Sequence, residues 1–189
     1  MPHLKNYNDI ALKTVLLKDD IIISDYDEIV SELVKKFLAI KNMNSTVYFI
    51  GNGGSAGVAL HMTVDFLKNG RMRTHDMLNP TVLTCLGNDF GYEHVFSKQL
   101  EIVANPNDLL VAISSSGESA NILNAVKVAR AKFCQVVTLS GFKAGNSLTK
   151  LGDLNVHVPS MNYGTVESIH NMILQDVVDS LKNFKQMGE

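Results

Sequence analysis

The chain has 189 residues, of which 46% are hydrophobic and 19% charged, with a net charge of −2 at pH 7. That balance fits one globular domain and excludes a disordered chain. Without a basic surplus nucleic-acid binding is not expected, and an anionic ligand has to be held by dipoles and hydroxyls. The opening segment MPHLKNYNDIALK carries early charges and no continuous apolar run, and nothing reaches the ~18 apolar residues of a membrane helix. A cytoplasmic protein with no membrane partner is expected. Cys85 and Cys134 lie in or beside apolar runs without a CxxC pair, which predicts buried, unpaired thiols.

In chain order, residues 8–17 show an amphipathic helical pattern and residues 26–39 a longer one, with Ile29, Leu33, Phe37 and Leu38 on one side. Residues 45–50 (STVYFI) read as a buried strand, followed by the turn GNGGS and a helix over 56–67. Residues 68–80 form the one long irregular stretch. Residues 81–86 then read as a strand and 93–103 as a helix. Residues 109–113 (LLVAI) read as a strand and 120–131 as a helix. A strand over 135–139, a short helix over 146–151, a strand over 154–158 and an amphipathic helix over 166–184 complete the chain. This alternation predicts βαβ units, and hence a single α/β domain with a doubly wound, five-stranded parallel sheet over residues 1–189. Residues 1–43 are expected as N-terminal helices packed on the core or on a neighbouring subunit.

In such a sheet ligands bind beyond the carboxyl ends of the strands, and three junctions there have unusual chemistry. In Gly51-Asn52-Gly53-Gly54-Ser55 the glycines allow close approach to a ligand, and free N–H groups at a helix start attract anions. The simpler reading is a tight turn capped by Ser55. Gly51, Gly53 and Ala56 also satisfy a loose dinucleotide fingerprint, but the acid that fingerprint requires should end the second strand, and Asp76 precedes it. No nucleotide cofactor is expected. In Ser114-Ser115-Ser116-Gly117-Glu118-Ser119, hydroxyls and N–H groups at a helix start suit a phosphate without any lysine or arginine. As a plain loop the segment would supply Ser116 or Ser119 as an N-cap. In Gly87-Asn88-Asp89-Phe90-Gly91, Asn88 and Asp89 can bond sugar hydroxyls or form an ordinary Asx turn.

Two helices carry titratable faces. His61 and Asp65 are four apart on the helix after GNGGS; Glu167, Asn171 and Gln175 recur every four residues on the last helix, with His170 nearby. Such faces ligate a divalent metal or move protons, unless they are simply solvated or a subunit contact.

Together GNGGS, HxxxD, GNDFG, ISSSGES and VESIH resemble the sugar isomerase (SIS) fold and, within it, the phosphoheptose isomerases, in collinear order over residues 8–181. The resemblance implies a single SIS domain of flavodoxin-like fold and a homotetramer with active sites at subunit interfaces. It also implies isomerisation of D-sedoheptulose 7-phosphate to D-glycero-D-manno-heptose 7-phosphate for bacterial lipopolysaccharide or capsule. By position it implies sugar contacts from Asn52, Gly53, Gly54, Ser55, Asn88 and Asp89, and phosphate contacts from Ser114, Ser115, Ser116 and Ser119. His61 matches a zinc ligand of the family, and Asp65, Glu167 and Gln175 complete the metal set expected here. Asp65 and Glu167 are the expected acid–base pair, with His61 and His170 assisting. Four positions depart from the family pattern: Asp65 stands for its Glu, Glu167 for its Gln, Gln175 for its final His, and Asn69 for a basic residue. The loss of a titratable group at Gln175 keeps a second expectation open, a non-catalytic phosphosugar-binding or regulatory tetramer of the replication-initiation-regulator type.

Overall fold

The computed structural model describes residues 2–19 and 21–186. All six residues of β5 (Leu109–Ser114) are buried. Leu109, Val111 and Ile113 enter one core, while Leu110 and Ala112 enter another. Side chains alternate across a strand, so an uninterrupted apolar run is stable only with helices on both faces. β3 (Thr46–Gly51) repeats the pattern, with Val47 and Phe49 on one side and Tyr48 and Ile50 on the other. With β4 (Arg73–His75), β6 (Gln135–Ser140) and β7 (Leu154–His157) these form five parallel strands in the order β4-β3-β5-β6-β7. The helices α2 (Tyr26–Asn42), α3 (Gly54–Lys68) and α7 (Tyr163–Gln186) cover one face; α5 (Ser97–Val103) and α6 (Ala120–Ala131) cover the other. The expected short helix over 146–151 is a 3-10 turn, Ser147–Lys150.

The sheet is wider than five strands. β1 (Val15–Lys18) and β2 (Ile21–Ile23) form an antiparallel hairpin beside β7, making seven. The helix expected over 8–17 therefore stops early, α1 spanning Pro2–Ala11. Thr14, Val15, Leu16 and Leu17 fit a strand as well as a helix, and pairing decides: Leu16 is fully buried opposite Val156. The N-terminal region is thus two helices with a hairpin between them, not helices alone.

Residues 81–86 are not a strand either; they lie within α4 (Pro80–Phe90). Pro80 opens that helix, and the Asn79 side-chain oxygen accepts from the N–H groups of Thr81 and Val82 at 3.0 and 3.3 Å. This capping pair overrides the β-branched content of TVLTCL. The place beside β3 is taken by β4, inside the stretch expected to be irregular. GNDFG consequently closes a helix, with Gly91 at φ 88°. Cys85, expected in the core, is exposed on α4, whereas Cys134 is buried; neither is paired. No helix among the described residues is long and apolar enough to cross a membrane.

β4 lies on one side of β3 and β5 on the other. The loops leaving β3 and β5 therefore diverge at a topological switch point, where a crevice must open.

Candidate functional site

That crevice is a cleft of about 390 Å³. Asn52, Gly53, Gly54 and Ser55 line it after β3, Ile113, Ser114, Ser115, Ser116 and Ser119 after β5, and Tyr163 and Glu167 from α7.

The serine loop is held open by its own bonds. Ser114 Oγ donates to Ser119 Oγ at 3.2 Å and accepts from the Gly117 N–H at 3.2 Å. Ser116 Oγ accepts from the Glu118 N–H at 3.2 Å. Ser119 precedes α6, but its hydroxyl does not cap the helix. The Ser115 hydroxyl is buried without any partner. An unpaired buried hydroxyl costs free energy, and one beside a helix N-terminus suits an anion. The loop's carboxylate is turned away: Glu118 accepts from the Ser147 N–H at 2.8 Å and its hydroxyl at 2.7 Å. Those bonds hold its carboxyl below the ordinary range. Among the described residues no lysine or arginine lines the cleft.

On the opposite wall Gly53 has φ 54° and ψ −122°, a conformation suited to glycine, and α3 begins at the next residue. The space that a Cβ at Gly54 would need is filled by the Glu167 carboxylate. Glu167 thus lies against the first turn of α3, facing the serine loop across the cleft. Asn52 is held from two sides. Its Nδ2 donates to Asn121 Oδ1 at 2.9 Å, Asn121 Nδ2 returns a bond to Asn52 Oδ1 at 2.8 Å, and the Tyr92 hydroxyl donates to the same oxygen at 2.9 Å. Neither Asn121 nor Tyr92 was singled out by sequence. The one available signal was an amide in the first turn of a helix, at a position that proves 2% exposed.

The remaining candidates lie elsewhere. His61 Nε2 is 3.2 Å from Asp65 Oδ2, and its Nδ1 is 3.1 Å from Asn171 Oδ1, so both ring nitrogens are engaged. At 1.5 Å per residue, Asp65 lies about 16 Å beyond Gly54 along α3. Gln175 directs its amide to Asp179 at 3.4 Å. Among the described residues no three His, Cys, Asp or Glu side chains are grouped to hold a metal. Zinc takes three or four protein ligands, so His61, Asp65, Glu167 and Gln175 as arranged within one chain do not fit it. Asn88 and Asp89 sit exposed on the last turn of α4, bonded to each other at 2.9 Å, and do not line this cleft.

His170 is fully buried, its Nε2–H donating to the Ser140 carbonyl at 3.0 Å. Burial lowers its pKa from the ordinary 6.5 to about 4. The imidazole is therefore neutral when folded, while the unfolded chain takes up the proton first as the pH falls. Stability contributed by this group is complete above pH 6.5 and is lost as the pH drops toward 4, by about 3 kcal/mol over the full range. Urea midpoints measured from pH 7 to pH 4.5 should fall more steeply for the wild type than for His170→Asn. Equal slopes would assign the effect to other groups.

Comparison with known proteins agrees with this architecture. The SIS domain family matches residues 21–141. A phosphoheptose isomerase of Sodalis glossinidius (strain morsitans) is 34% identical over 186 residues, spanning 90% of this chain and 92% of that protein. One from Aliarcobacter butzleri (strain RM4018) is 36% identical over 152 residues, spanning 76% of this chain and 78% of that protein. The solved structure of phosphoheptose isomerase GmhA from Neisseria gonorrhoeae aligns with a TM-score of 0.83 at 25% identity, covering 96% of each chain. The chain belongs to the SIS-domain family, on its phosphoheptose isomerase branch.

Proposed function

We propose that this chain is an aldose–ketose isomerase of phosphorylated sugars, converting D-sedoheptulose 7-phosphate to D-glycero-D-manno-heptose 7-phosphate for bacterial lipopolysaccharide or capsule. One observation carries the reading: a carboxylate, Glu167, shares a cleft with a hydroxyl-rich, cation-free cradle suited to phosphate. The relatives named phosphoheptose isomerase support the choice of sugar.

The chemistry requires a base to take a proton from C1 of the ketose, giving an enediol, and to return a proton to C2. A second group passes a proton between O1 and O2. Glu167 takes the first role, beside a sugar whose phosphate rests on Ser114, Ser115, Ser116 and Ser119. Asp65, supported by His61, takes the second. It lies too far along α3 to serve the cleft of its own chain, so it acts in the cleft of a second copy. Two features support a homotetramer with shared sites. Leu60, Val64 and Leu67 stand 47%, 56% and 56% exposed on the helix that carries His61 and Asp65. α4 buries none of its residues despite its apolar sequence. Apolar surface on adjoining elements is characteristic of protein interfaces. Unpaired cysteines suit a cytoplasmic setting. No step is assigned to zinc.

The test is to incubate the protein with sedoheptulose 7-phosphate and follow aldose formation. Ser115→Ala should leave the melting temperature unchanged or raise it, because it deletes an unpaired buried hydroxyl, while raising KM about tenfold. An unchanged KM would remove Ser115 from the phosphate cradle. A non-catalytic phosphosugar-binding tetramer would bind the same ligand without turnover. Gln175 is the feature in its favour and Glu167 the feature against it.

A further inference from the structure

We infer that Asn121 and Tyr92 are positioning residues that lock the Asn52 amide as a pure hydrogen-bond donor toward the sugar; the inference rests on the sugar-phosphate reading of the cleft. The lock follows from a chain of bonds with a fixed starting point. The Ile122 backbone N–H donates to Asn121 Oδ1 at 3.0 Å, and a backbone N–H can only donate, so that atom of Asn121 is its oxygen. The other Asn121 terminus is then an NH₂, which makes the Asn52 atom facing it, 2.8 Å away, the Asn52 oxygen. Tyr92 must therefore donate to that oxygen, at 2.9 Å.

Both lone pairs of Asn52 Oδ1 are now used, and one Nδ2–H is given to Asn121. The single polar valence left on an amide that lines the cleft is the second Nδ2–H. Flipping the amide would break both bonds to Asn121 and set oxygen against oxygen and NH₂ against NH₂. This matters because an enediol intermediate gathers negative charge on the former carbonyl oxygen. A fixed N–H stabilises that charge, whereas an amide free to turn would present its own oxygen part of the time. Asn121 is 2% exposed and set in the first turn of α6, so the clamp is anchored on the helix that directly follows the phosphate cradle. Tyr92 follows GNDFG, and through it that segment reaches the GNGGS turn although Asn88 and Asp89 do not.

A double-mutant cycle tests the lock. Tyr92→Phe keeps the ring, which is 60% exposed, and removes only the donor. It should lower kcat about fivefold with KM changed less than about twofold, and Asn52→Ala should lower kcat about 50-fold. The combined variant should be no slower than Asn52→Ala, because Tyr92 acts through Asn52. An unchanged kcat in Tyr92→Phe, or losses that add in full, would overturn the inference. The Asn52 side-chain amide signals of the ligand-free protein give an independent readout by nitrogen-15 NMR. Their hydrogen exchange should quicken in Tyr92→Phe, and unchanged exchange would overturn the lock. A wild type that isomerises no sugar phosphate would instead defeat the isomerase reading, with the lock still judged by that exchange.

Discussion

Glu167→Gln is expected to lower kcat about 10³-fold while leaving competition by inorganic phosphate unchanged. The substitution keeps the shape of a side chain that fills the space beside Gly54 and removes only its capacity to accept a proton. It also installs the glutamine that the resembled family carries at this position, which makes the test sharp. If the departure is functional, the family's own residue is inactive here. Turnover near the wild-type level would mean that Glu167 is a tolerated replacement and that the proton is taken by another group.

Asp65→Asn is expected to lower kcat about 10²-fold, again sparing phosphate binding. Its second consequence is more informative. Asp65 lies about 16 Å beyond Gly54 along α3, and in the proposed shared site the two carboxylates come from different copies. Co-expressing Asp65→Asn with Glu167→Gln should therefore produce some sites in which both carboxylates are intact. Random assortment would restore about a quarter of wild-type activity from two nearly inactive parents. No recovery in oligomers shown to be mixed would place both carboxylates within one chain.

What could be read from the sequence follows the range of the interactions concerned. β3, β5, β6 and β7 were legible because a strand covered on both faces is a short apolar run, a purely local signal. The β1–β2 hairpin was not, since Leu16 becomes a strand residue by pairing with Val156, far along the chain. At α4 two local signals conflict: the β-branched content of TVLTCL favours a strand, and the capping pair Asn79 and Pro80 favours the helix that forms. The serine loop and the GNGGS turn were legible for the same reason as the strands: glycines and hydroxyls report directly on the backbone they serve. Helical spacing was a weaker guide. It sets Glu167 and His170 three residues apart, yet one lines the cleft and the other is sealed in the core. Spacing gives relative angle, not which angle faces the sheet. The Asn52 clamp was invisible because its partners lie 40 and 69 positions away.

Isomerisation of a sugar phosphate by proton transfer through an enediol leaves an isotopic record in D₂O. Wild-type protein is incubated with sedoheptulose 7-phosphate and the products are followed by proton NMR. The heptose 7-phosphate aldose should gain deuterium at C2 as turnover proceeds, because a proton held by Glu167 between C1 and C2 exchanges with solvent. Unconverted sedoheptulose 7-phosphate, or aldose still carrying only protium at C2 after many reversible turnovers, would contradict proton transfer through an enediol.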